Sequence, residues 1–239
     1  MHQECAEILR HVDCIAAMAA GGGVGEGGEL RLAIISRLHS SLIDEAFRLY
    51  HQRHPAVRWR VDVQNSAETA RRIQREKSGI GICLLAKPII ALTCRHLFRE
   101  AFGIYCGSEH HMFGAAAVDL GALVHEPFVA FTCATEGMGL EPMAMLREGL
   151  GLGRRTIGES HDMEEVARMI AAGLGIGILP EASAAIAVAD GRLWQLNLID
   201  QPLGADVFLV HAGEQTLTRP ERMFVELIDE LARTCPDLA

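Results

Sequence analysis

Residues Glu164 to Pro180 read EEVARMIAAGLGIGILP, and this stretch decides the fold. Val166, Met169 and Ile170 recur at helical spacing, so its first half reads as an amphipathic helix. Gly173 suits the left-handed conformation that closes a helix, and Gly175 keeps the reversal tight. Ile176, Ile178 and Leu179 form an apolar run too short for a helix and suited to a strand buried on both faces of a parallel sheet. Pro180, with no N–H to give to a ladder, ends that strand. A helix feeding directly into a buried strand is half of a β-α-β unit, and open sheets of this kind bind ligands beyond the carboxyl ends of their strands.

The same alternation runs through the first third of the chain. Leu30 to Ile35 reads as a strand, and Leu42, Ile43, Ala46, Phe47 and Tyr50 mark a helix that Pro55 closes off. Trp59, Val61 and Val63 form a second strand, and Asn65 and Ser66 are good starters for a helix from Ala67 to Glu76. Ile80, Ile82, Leu84 and Leu85 give a third strand. Short connections between these elements imply a parallel sheet with right-handed crossovers. Further on, Phe128 to Phe131 reads as a strand, Thr132 to Gly139 as a loop and Pro142 to Gly149 as a helix with proline in its first turn. Arg219 to Thr234 is an amphipathic closing helix.

At the front, Glu4 to Ala20 reads as a helix, followed by a glycine run from Gly21 to Gly28. Gly23 to Gly28 matches GxGxxG in letters only. A dinucleotide site needs a strand before its glycines and a helix after them, and here the order is reversed, so a flexible hinge explains the run better.

Composition narrows the function. The 239 residues are 49% hydrophobic and 22% charged, enough for a real core. A net charge of −9 repels phosphate, so these residues are not expected to grip DNA by themselves. No signal peptide and no bilayer-length apolar stretch is read, and a cytoplasmic location is expected. The seven cysteines, Cys5, Cys14, Cys83, Cys94, Cys106, Cys133 and Cys235, are scattered without a CxxC pair. They read as reduced thiols rather than as a disulfide framework or zinc site, with a redox-sensing pair as the alternative.

Several pieces in order carry a family resemblance. AAGLGIGILP at Ala171 to Pro180, His54-Pro55-Ala56-Val57 before the second strand, FGIYCGSEHHMF at Phe102 to Phe113, Asp119-Leu120 and Pro127-Phe128-Val129 together resemble the effector-binding domain of LysR-type transcriptional regulators. The resemblance covers almost everything after Gly28. One departure is Glu76-Lys77-Ser78-Gly79, where the family usually carries Gly-x-Ile/Leu-Asp, and His111 stands where the family has proline.

What the resemblance implies is an α/β fold of two Rossmann-like lobes joined by two crossover strands, like the type 2 periplasmic binding proteins. Residues 29–104 with 207–239 would form one lobe and 105–206 the other. Residues 1–28 would be the remnant of a linker helix and its hinge, as in a regulator whose winged helix-turn-helix head is missing. It further implies strands at Thr156 to Ser160 and Gly191 to Leu196, a helix from Asp162 to Ala172 and a return crossover at Val207 to His211. A small-molecule effector, a homodimer of regulatory domains, a tetramer of the intact protein and DNA contact only through the missing head follow as expected partners.

Catalytic and metal chemistry find little support. No Walker-type loop, GxSxG elbow or HExxH helix occurs. Glu109-His110-His111 looks metal-like, but neighbouring side chains on an extended segment point to opposite sides, so no metal and no cofactor is expected. Cys133 near His161 lacks an orienting third group for a nucleophile. What remains is a polar set at strand ends and helix starts: Ser36, Arg37, Ser40, Ser41, Asn65, Ser66, Thr132, Ser160 and His161. Helix N-termini suit a carboxylate, and Arg37 adds a bidentate grip, so the set reads as a pocket for a small anionic metabolite. Each residue has a plainer reading as a cap or a solvent-facing side chain. Two alternatives remain at this stage, a solute-binding protein serving a transporter and an enzyme on the same lobes. Secretion would favour the first, and turnover of a metabolite the second.

Overall fold

The computed structural model describes residues 27–132, 142–198 and 203–235, and the side chains of 142–144 are outside that description. The expected helix Glu4 to Ala20, residues 21–26 of the glycine run and residues 133–139 of the loop after Thr132 lie outside the described residues.

The first five elements alternate as expected: β1 (Glu29–Ile34), α1 (Ser41–Arg53), β2 (Arg58–Val63), α2 (Ser66–Glu76) and β3 (Ile80–Leu84). β1 pairs in parallel with both β2 and β3. The second lobe carries α3 (Leu120–Leu123), β5 (Phe128–Phe131), α4 (Pro142–Gly149), β6 (Thr156–Ser160), α5 (Met163–Ala171), β7 (Gly177–Pro180), α6 (Glu181–Ala189) and β8 (Leu193–Gln195). β5 and β6 are parallel neighbours. α7 (Arg219–Thr234) closes the described chain against the first lobe.

Two long strands join the lobes. β4 (Thr93–Gly107) and β9 (Leu203–His211) pair antiparallel from Thr93↔His211 to Phe102↔Leu203. β3 flanks β9, with Leu84 opposite Val207, and β7 flanks β4, with Pro180 opposite Phe102. The strand order β2-β1-β3-β9-β4-β7 therefore runs from one lobe through both crossovers into the other. This is the two-lobed α/β architecture that the sequence implies.

The deciding stretch folds with one correction. Asp162 caps α5, whose buried residues are Met163, Val166 and Ile170, and Gly173 closes it at φ +82. The Gly173 N–H donates to the Ile170 carbonyl at 2.9 Å and the Leu174 N–H to Met169 at 3.2 Å. Ile176 bridges in parallel to Phe128, but β7 itself runs antiparallel to β4, because it docks on the outgoing crossover rather than on another β-α-β strand. Gly175 has a different reason from the one expected. A Cβ there would lie 2.2 Å from the Pro127 carbonyl oxygen, so the glycine is required by close approach of two chains.

The main apolar body takes residues from both lobes. In the first lobe Phe47, Tyr50, Trp59 and Phe224 meet at centroid distances of 4.9–5.9 Å, and the Tyr50 hydroxyl donates to the Pro220 carbonyl at 2.8 Å. That arrangement locks α7 onto α1. α7 starts with Thr218 and Glu221 in a reciprocal capping box, and Pro220 sits in its first turn. The short α3, α6 and the first half of β4 from Thr93 to Ala101 go beyond the sequence expectations.

Candidate functional site

The loop Ser36 to Ser41 leaves the carboxyl end of β1, and the segment Gln64–Ser66 leaves that of β2. The Gln64 N–H donates to the Ile34 carbonyl at 3.0 Å and the Ile35 N–H to Ile82 at 3.2 Å, so these strand ends finish side by side. Ser40 caps α1 through Ile43 N–H at 3.4 Å, and Asn65 caps α2 through Glu68 N–H at 2.8 Å. Ser41 and Ser36 are exposed, whereas Ser66 is buried and its Oγ accepts from Leu84 N–H at 3.1 Å. Ser66 thus ties α2 to the end of β3.

On the other lobe Thr132 ends β5, and its N–H donates to the Ser160 carbonyl at 2.9 Å. His161 Nδ1 lies 3.2 Å from Thr132 Oγ1 and also contacts the Thr132 carbonyl. Ser160 Oγ accepts from Asp162 N–H at 3.0 Å. Thr132, Ser160 and His161 therefore form one contiguous group at the amino end of α5. That helix start is acidic. Asp162 takes the N–H groups of Glu164 and Glu165 at 2.7 and 3.2 Å, and two carboxylates stand in the first turn. Carboxylates in the first turn offset the positive end of the α5 dipole.

Arg37 connects the two lips. Its backbone is left-handed, φ 59, an uncommon state for a residue with a side chain. Its carbonyl accepts from Ser183 Oγ of α6 at 3.3 Å, and its guanidinium pairs with the carboxylate of Glu164. Both contacts reach from the first lobe to the second. The ion pair is open to solvent on both sides, so it contributes roughly 0–1 kcal/mol and can be exchanged for another carboxylate.

One polar group at this edge was missed by sequence reasoning. Gln64 Oε1 is buried without a hydrogen-bond partner at the carboxyl end of β2. Its only sequence signal is position, the last residue before a capped helix.

The loop after β4 differs from expectation. His110 to Gly114 turns rather than extends, so the His110 and His111 rings stack with centroids 4.5 Å apart. Both reach Glu126, from Nε2 at 3.2 and 3.4 Å. The three side chains fall within 4.8 Å of one another. Met112 N–H donates to His110 Nδ1 at 3.3 Å, which leaves the neutral ring's proton on Nε2, facing Glu126. The arrangement suits a shared carboxylate better than convergent metal ligation. Burial pushes the His110 pKa down, opposed by Glu126.

Among the described cysteines, Cys83, Cys94, Cys106 and Cys235 are free thiols. Burial pushes Cys83 up to about 12 and Cys106 to about 11, which makes both poor nucleophiles. No described helix is long and apolar enough to cross a membrane.

Known proteins agree with this architecture. The effector-binding domain of QuiR in complex with shikimate superposes with a TM-score of 0.74 at 13% identity, covering 88% of this chain and 99% of that one. The regulatory domain of CcmR from Synechocystis PCC6803, in complex with 2-PG, gives 0.70 at 18% identity over 88% and 99%. The BenM effector-binding domain with its effector benzoate gives 0.68 at 18% identity over 87% and 93%. These identities speak for the fold. The family model of the LysR substrate binding domain matches residues 23–233. The chain belongs to the LysR substrate-binding domain family.

Proposed function

We propose that this chain is the ligand-sensing and dimerising part of a LysR-type transcriptional regulator, which takes a small anionic metabolite between its lobes. The observation that carries this reading is Arg37, strained in its backbone and held across the interlobe gap by the carboxylate of Glu164. Glu164 stands in for an effector acid group. A metabolite carboxylate or phosphate exchanges with it at the Arg37 lip, near the starts of α1 and α2, where Ser40 and Asn65 lie. His161, Thr132 and Ser160 then face the effector from the other lobe. Exchange changes what holds the lobes together, and that is the differential interaction a population shift requires. Residues 29–104 with 207–239 move as one unit and 105–206 as the other.

Support for self-association comes from two sheet edges. β2 ends the long sheet on one lobe, and β6 pairs with β5 in a two-stranded sheet on the other; Val61 and Val63 (64% exposed) stand on β2 and Ile157 (43%) on β6. Bare apolar edge strands are a liability unless covered. Two copies side by side in opposite directions cover each β2 edge with a β6 edge. With a net charge of −9, DNA is contacted only by a domain outside these 239 residues, in the cytoplasm, with tetramers in the intact protein.

A thermal-shift screen with small carboxylic and phosphorylated acids tests the site. Hits are expected to weaken about ten-fold or more in Arg37→Ala. They are expected to strengthen a few-fold in Glu164→Gln, which frees the guanidinium. Full retention of the shift in Arg37→Ala overturns the site.

A further inference from the structure

Glu100 lies within β4, opposite Ala205 of β9. Two pairs along, Phe98↔Val207 is level with Leu84 at the end of β3. On the other side, Phe102↔Leu203 is level with Pro180 at the end of β7. Glu100 therefore stands between the carboxyl ends of the two lobes' strands, the level at which open α/β sheets hold ligands.

Alternation along the crossovers separates two faces. Arg99 and Asp206 share the outer face, exposed and paired with each other at 3.2 Å. Glu100 shares the inner face with Phe98, Phe102, Ala205 and Val207, all buried. That apolar body draws on both lobes, with Leu38 from the loop after β1 and Leu146 and Leu150 from the end of α4 and beyond.

Glu100 is only 8% exposed, and its Oε1 has no hydrogen-bond partner. Thr69 Oγ1, His211 Nε2, Glu221 Oε1 and Gln64 Oε1 are buried without a hydrogen-bond partner too, but among the buried ionisable side chains of the described residues Glu221 and His211 each make another contact. Glu221 closes the capping box at 2.9 Å from Thr218 N–H, and His211 Nδ1 accepts from Gly213 N–H at 3.2 Å. A carboxyl buried without a donor is costly, and the side chain of its cross-strand neighbour Ala205 offers it none. Burial alone raises its pKa to about 7, with no charged neighbour among the causes.

We propose that the Glu100 carboxyl is a specificity-determining contact in the interlobe cleft, accepting a hydrogen bond from a hydroxyl or amino group of the small acid bound there. This rests on the cleft reading above. Arg37 holds the acid end and Glu100 reads the other end. An acid lacking the donor leaves the carboxyl as unpartnered as it is without ligand.

Matched probes test it by calorimetry and melting: shikimate against cyclohexene-1-carboxylate, glycerate against propionate, and 4-aminobenzoate against benzoate. Wild type is expected to bind the donor-bearing member of a responding pair at least about ten-fold more tightly. Glu100→Gln, whose amide oxygen still accepts, is expected to keep that preference within a few-fold. Glu100→Leu is expected to bind both members alike and, without ligand, to melt higher than wild type. Wild-type discrimination retained in Glu100→Leu overturns the proposal and leaves the cleft reading standing. A lower melting point of ligand-free Glu100→Leu overturns it too, since the carboxyl is then a structural partner. Arg37→Ala is expected to lose both members of a pair. A wild type that answers no probe removes the cleft reading, and this proposal with it.

Discussion

The buried carboxyl of Glu100 also makes stability depend on pH in a direction that can be worked out. In the folded chain its pKa rises from an ordinary 4.5 to about 7, and desolvation is the cause. Below about pH 4 the group is protonated whether the chain is folded or not, and it adds no penalty. As pH rises through the unfolded value, the unfolded chain releases the proton while the folded chain keeps it, so stability falls. The fall levels off above the folded pKa of about 7. Between about pH 5 and pH 8.5 the two pKa values give a loss of about 2.5 kcal/mol, an upper bound if water reaches the ionised group. For a chain of this size that is roughly 5–10 °C in melting temperature. Glu100→Gln keeps the shape and removes the titration. Urea midpoints and melting curves of both proteins across that range isolate the effect, because Glu221, whose pKa burial also raises, is common to both. Wild type is expected to lose ground to Glu100→Gln steadily up to about pH 7 and then run parallel to it. Parallel curves over the whole range refute a buried, unpartnered carboxyl.

Other outcomes are expected in the turns, the aromatic group and the sheet edges. Gly175→Ala brings a methyl to 2.2 Å from the Pro127 carbonyl, a backbone atom that cannot step aside, and should cost at least about 2 kcal/mol in urea denaturation. Gly173→Ala meets open space but a positive φ, and should cost about 1–2 kcal/mol. In the aromatic group, Phe224→Ala should cost about 3–5 kcal/mol. Tyr50→Phe, which loses the hydroxyl's bond to the Pro220 carbonyl, should cost about 1 kcal/mol. Val63→Lys on β2 and Ile157→Lys on β6 should each shift the chain toward monomer in sedimentation at micromolar concentration without lowering its melting temperature by more than a few degrees. An unchanged dimer would remove the edge-strand pairing.

Where one residue set had to satisfy one rule, the fold was legible. Arg219 to Thr234 carries a capping box, a first-turn proline and a single buried face, all pointing to the same helix, and its bounds agree with the sequence expectation. α6 escaped because five of the nine residues from Glu181 to Ala189 are alanine, and only Ala184 is buried. Such a helix has no stripe for periodicity to find. The first half of β4, TCRHLFREA, escaped for the opposite reason. As a crossover it keeps one face in water, where Arg95, His96 and Arg99 pair with Glu214, Asp229 and Asp206, so its letters look like a loop. The same blindness applied to His110 and His111. Alternation of neighbouring side chains is a property of strands, and those residues turn.

The site was legible as a location rather than as a list of contacts. Strand ends and helix starts follow from topology, but the residue types that cap a helix are the same types that suit a ligand. Ser40, Asn65, Ser66 and Ser160 each already accept a backbone N–H, so composition alone does not distinguish the two roles. The discriminating signal is an unmet valence. Gln64 and Glu100 break the rule that buried polar atoms are partnered, and Arg37 breaks the rule against left-handed backbone at residues with side chains. None of these violations can be seen in one sequence, because each exists only once the neighbours are in place. All three gather at the carboxyl ends of the strands or on the crossovers between them. A chain under no functional demand would replace Glu100 by an apolar residue and gain stability. Its presence in an apolar layer shared by two lobes is most simply offset by something that arrives from outside the chain.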